Sequence, residues 1–143
     1  MMQSRLGHMQ FNVRPENMPF YRDLMGFLGW QSLYDGAGSE AGEPMLGVAA
    51  ANGASLWFAG KVNAAHNDYD GPGLNHLAIA VVAQSDVDAT VEYLRQRGVP
   101  ALFETPRHRP EFSGGPGQTY YQVMFESPDR ILLEVVYTGP TSA

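Results

Sequence analysis

Residues 6–13 read L-G-H-M-Q-F-N-V and residues 74–82 read L-N-H-L-A-I-A-V-V, two alternating stretches whose histidines, His8 and His76, stand 68 positions apart. Successive side chains of a strand point to opposite faces. The first stretch therefore puts Met9, Phe11 and Val13 on one face and His8, Gln10 and Asn12 on the other. The second puts Leu77, Ile79 and Val81 opposite His76, Ala78 and Ala80. The segments after these two strands repeat as well. After the first, Pro15 breaks the strand and Pro19 suits the first turn of a helix, along which Phe20, Leu24 and Phe27 or Leu28 recur at helical spacing until Gly29. After the second, Ser85 with Asp88 has the pattern of a capping box, Val87, Val91 and Leu94 form a stripe, and Gly98 then Pro100 close the helix. Three strands are predicted after each helix, near 30–35, 45–50 and 54–59, and near 100–104, 118–126 and 131–137. Self-similarity of this kind is a statement about fold. It predicts an α+β chain of two tandem βαβββ modules, at 1–60 and 74–138, with a Gly-, Asn- and Asp-rich linker at 61–73 and a tail at 139–143. Residues 104–117 are expected to form a long loop, either a lid over a site or a surface excursion.

Composition narrows the chemistry. The 143 residues contain no cysteine, so a metal here must take His, carboxylate, amide or water ligands, and thiolate catalysis is excluded. A net charge of −6 leaves no basic stripe to neutralise nucleic-acid phosphates; Arg107 and Arg109, around His108, form the one local cationic cluster. No run approaches the roughly 18 apolar residues of a membrane span, and Met1–Arg5 leads straight into strand with no signal-peptide core. The expectation is a cytoplasmic protein that acts on a small molecule, without nucleic-acid or membrane partners.

One carboxylate stands out. In the last strand, I-L-L-E-V-V-Y, Glu134 shares a face with Leu132 and Val136. A carboxylate among apolar neighbours needs a partner, because desolvating its charge is costly; a metal cation or an arginine would serve. On the preceding strand Tyr120, Gln122 and Met124 share the more polar face, opposite Tyr121, Val123 and Phe125.

Two motifs carry a family resemblance. His8 opens H-x-x-x-x-V and is followed by F-Y-R-D-L-M-G-F at 20–27; residues 125–135 read F-E-S-P-D-R-I-L-L-E-V. The chain resembles the vicinal-oxygen-chelate (glyoxalase, bleomycin-resistance and extradiol-dioxygenase) superfamily, whose closing signature usually reads F-x-D-P-D-G-x-x-L-E. The resemblance covers nearly the whole chain. It implies open mixed sheets pairing around a cavity, and commonly a homodimer. It also implies one divalent metal, Fe²⁺, Mn²⁺, Ni²⁺, Co²⁺ or Zn²⁺, held by His8, His76 and Glu134. The remaining ligand position of the superfamily falls on Trp57, whose indole cannot coordinate, which speaks against glyoxalase I activity and leaves a three-ligand set with open positions. The implied function is a metal-dependent lyase, isomerase or oxygenase acting on a substrate with vicinal oxygens. The alternative is a bleomycin-resistance type of binding protein without catalysis. Tyr120 and His108 are the candidate proton-transfer groups beside Glu134; Trp57, Gln10, Asn12, Gln122 and Met124 are the candidate substrate-binding walls.

Overall fold

A computed structural model describes residues 1–39 and 42–142. The chain divides into two compact units, Met1–His66 and Asn67–Ala143. Each is an open four-stranded mixed sheet with one long helix, the α+β arrangement expected from the duplication.

In the first unit β1 (His8–Asn12) leads through a short 3₁₀ turn at Pro15–Asn17 into α1 (Met18–Phe27), followed by β2 (Gln31–Ala37), β3 (Pro44–Ala49) and β4 (Ser55–Ala59). The sheet order is β1-β4-β3-β2, with β1 parallel to β4 and the other pairs antiparallel. Phe11 and Phe58 stack beneath α1, where Tyr21 lies on Phe58 with ring centroids 4.6 Å apart. The buried stripe of α1 is Met18, Tyr21, Leu24 and Met25. This corrects the expected register: Phe20 meets Tyr21 edge-on instead of heading the stripe, and Phe27 is exposed. Tyr21 wins the inner position because it can stack flat on Phe58, a contact that periodicity does not register. Leu24, Leu46 and Leu56 are almost wholly buried, each such side chain contributing about 1.5–3 kcal/mol relative to exposure.

The second unit repeats the scheme with β5 (Leu77–Val81), α2 (Gln84–Gln96), β6 (Leu102–His108), β7 (Gln118–Glu126) and β8 (Leu132–Pro140), in the order β5-β8-β7-β6. Val123, Phe125, Leu133 and Val135 face α2, whose Val87 and Leu94 are buried as predicted, joined by Thr90 and Tyr93. Helix α2 starts earlier than the Ser85/Asp88 pattern implies. Ala83 is the N-cap, and Asp86 accepts the Ala83 N–H at 3.0 Å. Alanine offers no acceptor in return, so this is half of a capping box. Asp88 is left to receive the Tyr121 hydroxyl at 2.7 Å. Both helices end with glycine in the left-handed region, Gly29 and Gly98.

The largest departure lies in the expected loop at 104–117, because β6 runs through to His108. The ladder carries Leu102 opposite Met124 and Arg107 opposite Gln122, so residues 103–106 bulge out of the sheet. Thr105 closes the gap: its hydroxyl donates to the Leu102 carbonyl at 2.7 Å and accepts the Met124 N–H at 2.9 Å. Phe103 and Glu104 take left-handed backbone at φ 55° and 59° to make the bulge. The residues of the expected linker also behave differently along its length. Tyr69 is buried and its hydroxyl donates to Glu126, while the Asn67 amide donates to the Arg130 carbonyl at 2.9 Å. In the β7–β8 turn, Ser127 Oγ accepts the N–H groups of Asp129 and Ile131. Arg130 there adopts φ 58°, at the position where the superfamily signature has glycine.

Candidate functional site

The functional side chains of the second unit gather on the sheet face turned away from α2. Glu134 rises from the middle of β8, paired in register with Met124 on β7 and Ala78 on β5. The residue is 1 % exposed. Oε1 accepts the Tyr120 hydroxyl at 2.5 Å and the Gln122 side-chain amide at 2.9 Å. Oε2 lies 2.9 Å from Nε2 of His76, the residue just ahead of β5. Burial first, then the hydrogen bond to Glu134, push the Tyr120 phenol well above its ordinary range. Tyr120 therefore keeps its proton and serves as a hydrogen-bond donor. These groups line a cleft of about 430 Å³, which Met124 also borders.

The other ring nitrogen of His76 decides what the pair can hold. The Asn75 side-chain NH₂ donates to the Tyr69 carbonyl at 2.9 Å, which turns Asn75 Oδ1 toward His76 Nδ1 at 2.7 Å. The reverse amide orientation would set two oxygens against each other. An acceptor at Nδ1 requires the proton to be there, since the neutral imidazole has one N–H. Nε2 then presents a lone pair to the lone pairs of Glu134 Oε2. A cation placed between them, a second proton or a metal ion, relieves that repulsion. Two donors that share a divalent cation at about 2.0–2.2 Å and near a right angle lie about 3 Å apart, which fits the 2.9 Å separation. An outer carbonyl or amide that fixes the tautomer of a ligating histidine is the usual support of a metal site, and Asn75 would fill that role if His76 held a metal. Among the described residues no group of three or more His, Asp or Glu gathers into one ligand set; His76 and Glu134 are the pair that the second unit supplies.

The first unit carries the matching positions on its own sheet. His8, Gln10 and Asn12 are exposed on the β1 face opposite Phe11. Gln10 pairs in register with Trp57 as Ala78 pairs with Glu134, two residues beyond the respective histidines. Trp57 thus occupies the place in its unit that the carboxylate occupies in the other. Its indole lies flat over Gly47, where an added Cβ would stand 2.5–2.7 Å from the ring atoms. Its Nε1–H donates to Ser55 Oγ at 3.2 Å.

His76, Glu134, Tyr120, Gln122 and Met124 are therefore brought together, and His8, Gln10, Asn12 and Trp57 share a face of the first sheet. His108 is not brought to the cleft. It leaves β6 on the opposite face, stacks on Tyr121 at 4.4 Å and bonds Thr119 Oγ1 through Nδ1 at 2.6 Å. Sequence reasoning missed Asn75 and Arg107. Asn75 was in plain view inside L-N-H-L, where the first unit has Gly7, but only the bond to Tyr69 makes its role visible. Arg107 was hidden by the bulge that turns the expected loop into strand.

Comparison with known proteins agrees with this fold. The family model described as Glyoxalase/Bleomycin resistance protein/Dioxygenase superfamily matches residues 5–135. An uncharacterised Bacillus subtilis protein, YqjT, is 42% identical over 64 residues, a match that spans 45% of this chain and 46%, under half, of that relative. Among solved structures, a Bacillus halodurans protein provisionally described as a glyoxalase superimposes with a TM-score of 0.70 at 28% identity, over 94% of this chain and 96% of that one. FosX, a fosfomycin resistance protein of Listeria monocytogenes solved with Mn(II) and 1S,2S-dihydroxypropylphosphonic acid, superimposes with a TM-score of 0.64 at 22% identity, over 94% of this chain and 90% of that one, a likeness of fold. The chain belongs to the Glyoxalase/Bleomycin resistance protein/Dioxygenase superfamily.

Proposed function

We propose that this protein is a divalent-metal-dependent enzyme acting on a small substrate with two vicinal oxygens, with His76 and Glu134 as metal ligands. The observation that carries the reading is the 2.9 Å approach of His76 Nε2 to Glu134 Oε2 with the Nδ1 proton committed to Asn75. His8, at the equivalent position of the first unit, completes the ligand set in this proposal. A divalent cation there would act as a Lewis acid toward substrate oxygens. The rest falls to the chain's own groups. Tyr120 and Gln122 hold the Glu134 carboxylate in one orientation, Asn75 holds the imidazole in one tautomer, and Met124 and Leu132 border the cleft with apolar surface. The Mn(II) bound to FosX supports testing manganese first. Edge strand β2, exposed at all seven positions and carrying Leu33 and Tyr34, supports expecting a homodimer; sedimentation equilibrium reads that directly.

The test is a mass-spectrometric screen of the Mn²⁺-loaded protein against catechols, 2-oxo thioesters and thiol hemiacetals. Turnover of one class, lost in Glu134→Gln, is the expected result. Saturable binding of an aromatic compound with no turnover of any class favours the second reading, ligand sequestration, which the half-buried indole of Trp57, laid over Gly47, supports.

A further inference from the structure

Two arginines border the cleft and have no part in holding a metal. Arg107 stands opposite Gln122 in the β6–β7 ladder and so leaves its strand on the Glu134 side of the sheet. Its Nε is buried and meets no hydrogen-bond acceptor, the one buried side-chain nitrogen or oxygen so placed among the described residues. Its Nη1 is 3.6 Å from the carboxylate of Glu104, a largely exposed side chain. Arg109 also lines the cleft; it pairs with Glu111 at 2.5 Å and lies 4.5 Å over the Phe112 ring. A guanidinium N–H shut away from water without an acceptor is unfavourable, and native proteins rarely leave one so unless a ligand completes it. The backbone that positions Arg107 is strained as well. The bulge before it holds Phe103 and Glu104 in left-handed conformation, and Phe103 borders the cleft. Non-glycine residues in that region persist where the surrounding structure over-determines them, and they cluster at ligand clamps and active sites. The carboxylates that border the cleft are Asp70 and Glu134. Both oxygens of Glu134 are engaged by Tyr120, Gln122 and His76, so neither is available to Arg107.

We propose that Arg107, assisted by Arg109, binds a small oxyanion of the substrate, a carboxylate or a phosphate, while the His76–Glu134 end of the cleft takes its vicinal oxygens. The substrate class is therefore an anionic 1,2-dioxygenated molecule. The second half of this statement rests on the metal reading above; the anion subsite itself does not. A guanidinium suits the task because its planar fork donates two parallel hydrogen bonds to an oxyanion.

The experiment keeps the two parts separate. In chelator-treated, metal-free full-length protein, the ¹⁵N-resolved Nε–H resonance of Arg107 is followed during titration with acetate, inorganic phosphate and neutral 1,2-propanediol. The expected result is a saturable shift with an anion and none with the diol, the tighter anion identifying carboxylate or phosphate as the recognised group. Arg107→Gln weakens that anion at least tenfold, and Arg107→Lys, which keeps the charge and loses the fork, weakens it several-fold. Mn²⁺ affinity of both variants stays within twofold of the parent, which shows the cleft intact. An Arg107 resonance indifferent to both anions overturns the proposal, as does an anion affinity that Arg107→Gln leaves unchanged. A protein that binds anion at Arg107 but no Mn²⁺ supports the subsite and fails the metal reading alone.

Discussion

Glu134→Gln is the substitution that separates a functional carboxylate from a structural one. Without metal, the parent buries the ionised side chain of a residue that is 1 % exposed, at a desolvation cost of several kcal/mol. Hydrogen bonds from Tyr120 and Gln122 to the charged oxygen return about 1.5–3 kcal/mol each. Where no second proton stands between the pair, the contact with His76 returns little, because with Nδ1 protonated toward Asn75 the two facing atoms both carry lone pairs. Glutamine keeps an acceptor for Tyr120 and Gln122, at about 1 kcal/mol each as neutral bonds. It also turns an NH₂ toward the His76 Nε2 lone pair, a new bond, and no charge is buried. The balance favours the variant by about 1–3 kcal/mol, or roughly 3–9 °C in Tm at about 3 °C per kcal/mol for a chain of this length. The assay is urea and thermal unfolding in excess chelator, repeated with saturating Mn²⁺. Metal at about one hundred times Kd stabilises the parent by about 2.7 kcal/mol, and Glu134→Gln gains nothing from it. An isosteric change that raises stability while removing function is the signature of a site kept under strain. A variant destabilised in chelator by about 1 kcal/mol or more, the usual scale of a lost structural contact, would overturn this reading, since Glu134 would then be the anchor of an ion pair with a protonated His76.

Three other outcomes follow from single contacts. Asn75→Ala frees the His76 ring and its tautomer, so Mn²⁺ affinity measured by titration calorimetry falls about 10–100-fold, with the fold retained by circular dichroism. Gly47→Ala drives a Cβ into the Trp57 ring; the indole must swing off the sheet, costing about 1–3 kcal/mol, and a red-shifted, more quenchable Trp57 emission in a Trp30→Phe background reports it. Burial first, then the bond to Asp88, raise the Tyr121 phenol from 10.0 to about 12. A pKa raised by folding gives stability that is complete below about pH 10 and lost as pH rises toward about 12. Unfolding followed across that window is expected to show less alkaline loss for Tyr121→Phe than for the parent.

The architecture was legible because alternation and helical spacing are written in residues that sit next to one another in sequence. L-G-H-M and L-N-H-L announced the two equivalent strands, and parity placed Tyr120, Gln122 and Met124 on the Glu134 face. The family resemblance set Trp57 at the remaining ligand position, and the β1–β4 and β5–β8 registers put it where Glu134 stands in the other unit. The failures share a cause. Phe20 and Tyr21 are both aromatic neighbours on α1, and only the stacking partner Phe58 tells which one turns inward. The β6 bulge depends on Thr105 standing in for a backbone group and on two non-glycine residues at positive φ, neither of which has a pattern in sequence. That one error put His108 in a loop when it lies on the far face of the sheet, and left Arg107 out of the cleft it borders. Asn75 carries no signal of its own in sequence, because its effect is exerted on the other ring nitrogen of the neighbouring His76.

The enzymatic function proposed for the cleft, unlike the anion subsite at Arg107, depends on His76 Nε2 and Glu134 Oε2 being held ready for a divalent cation. Equilibrium binding of Mn²⁺ to the chelator-stripped, dialysed protein, followed by electron paramagnetic resonance of the free ion, measures that readiness. Saturation is expected at one ion per chain, with affinity reduced at least 100-fold in His76→Ala and in Glu134→Gln and reduced in His8→Ala. Absence of saturable binding of Mn²⁺, and of Fe²⁺, Ni²⁺, Co²⁺ or Zn²⁺ tested by calorimetry under the same conditions, would contradict it, as would binding that survives both substitutions in the second unit.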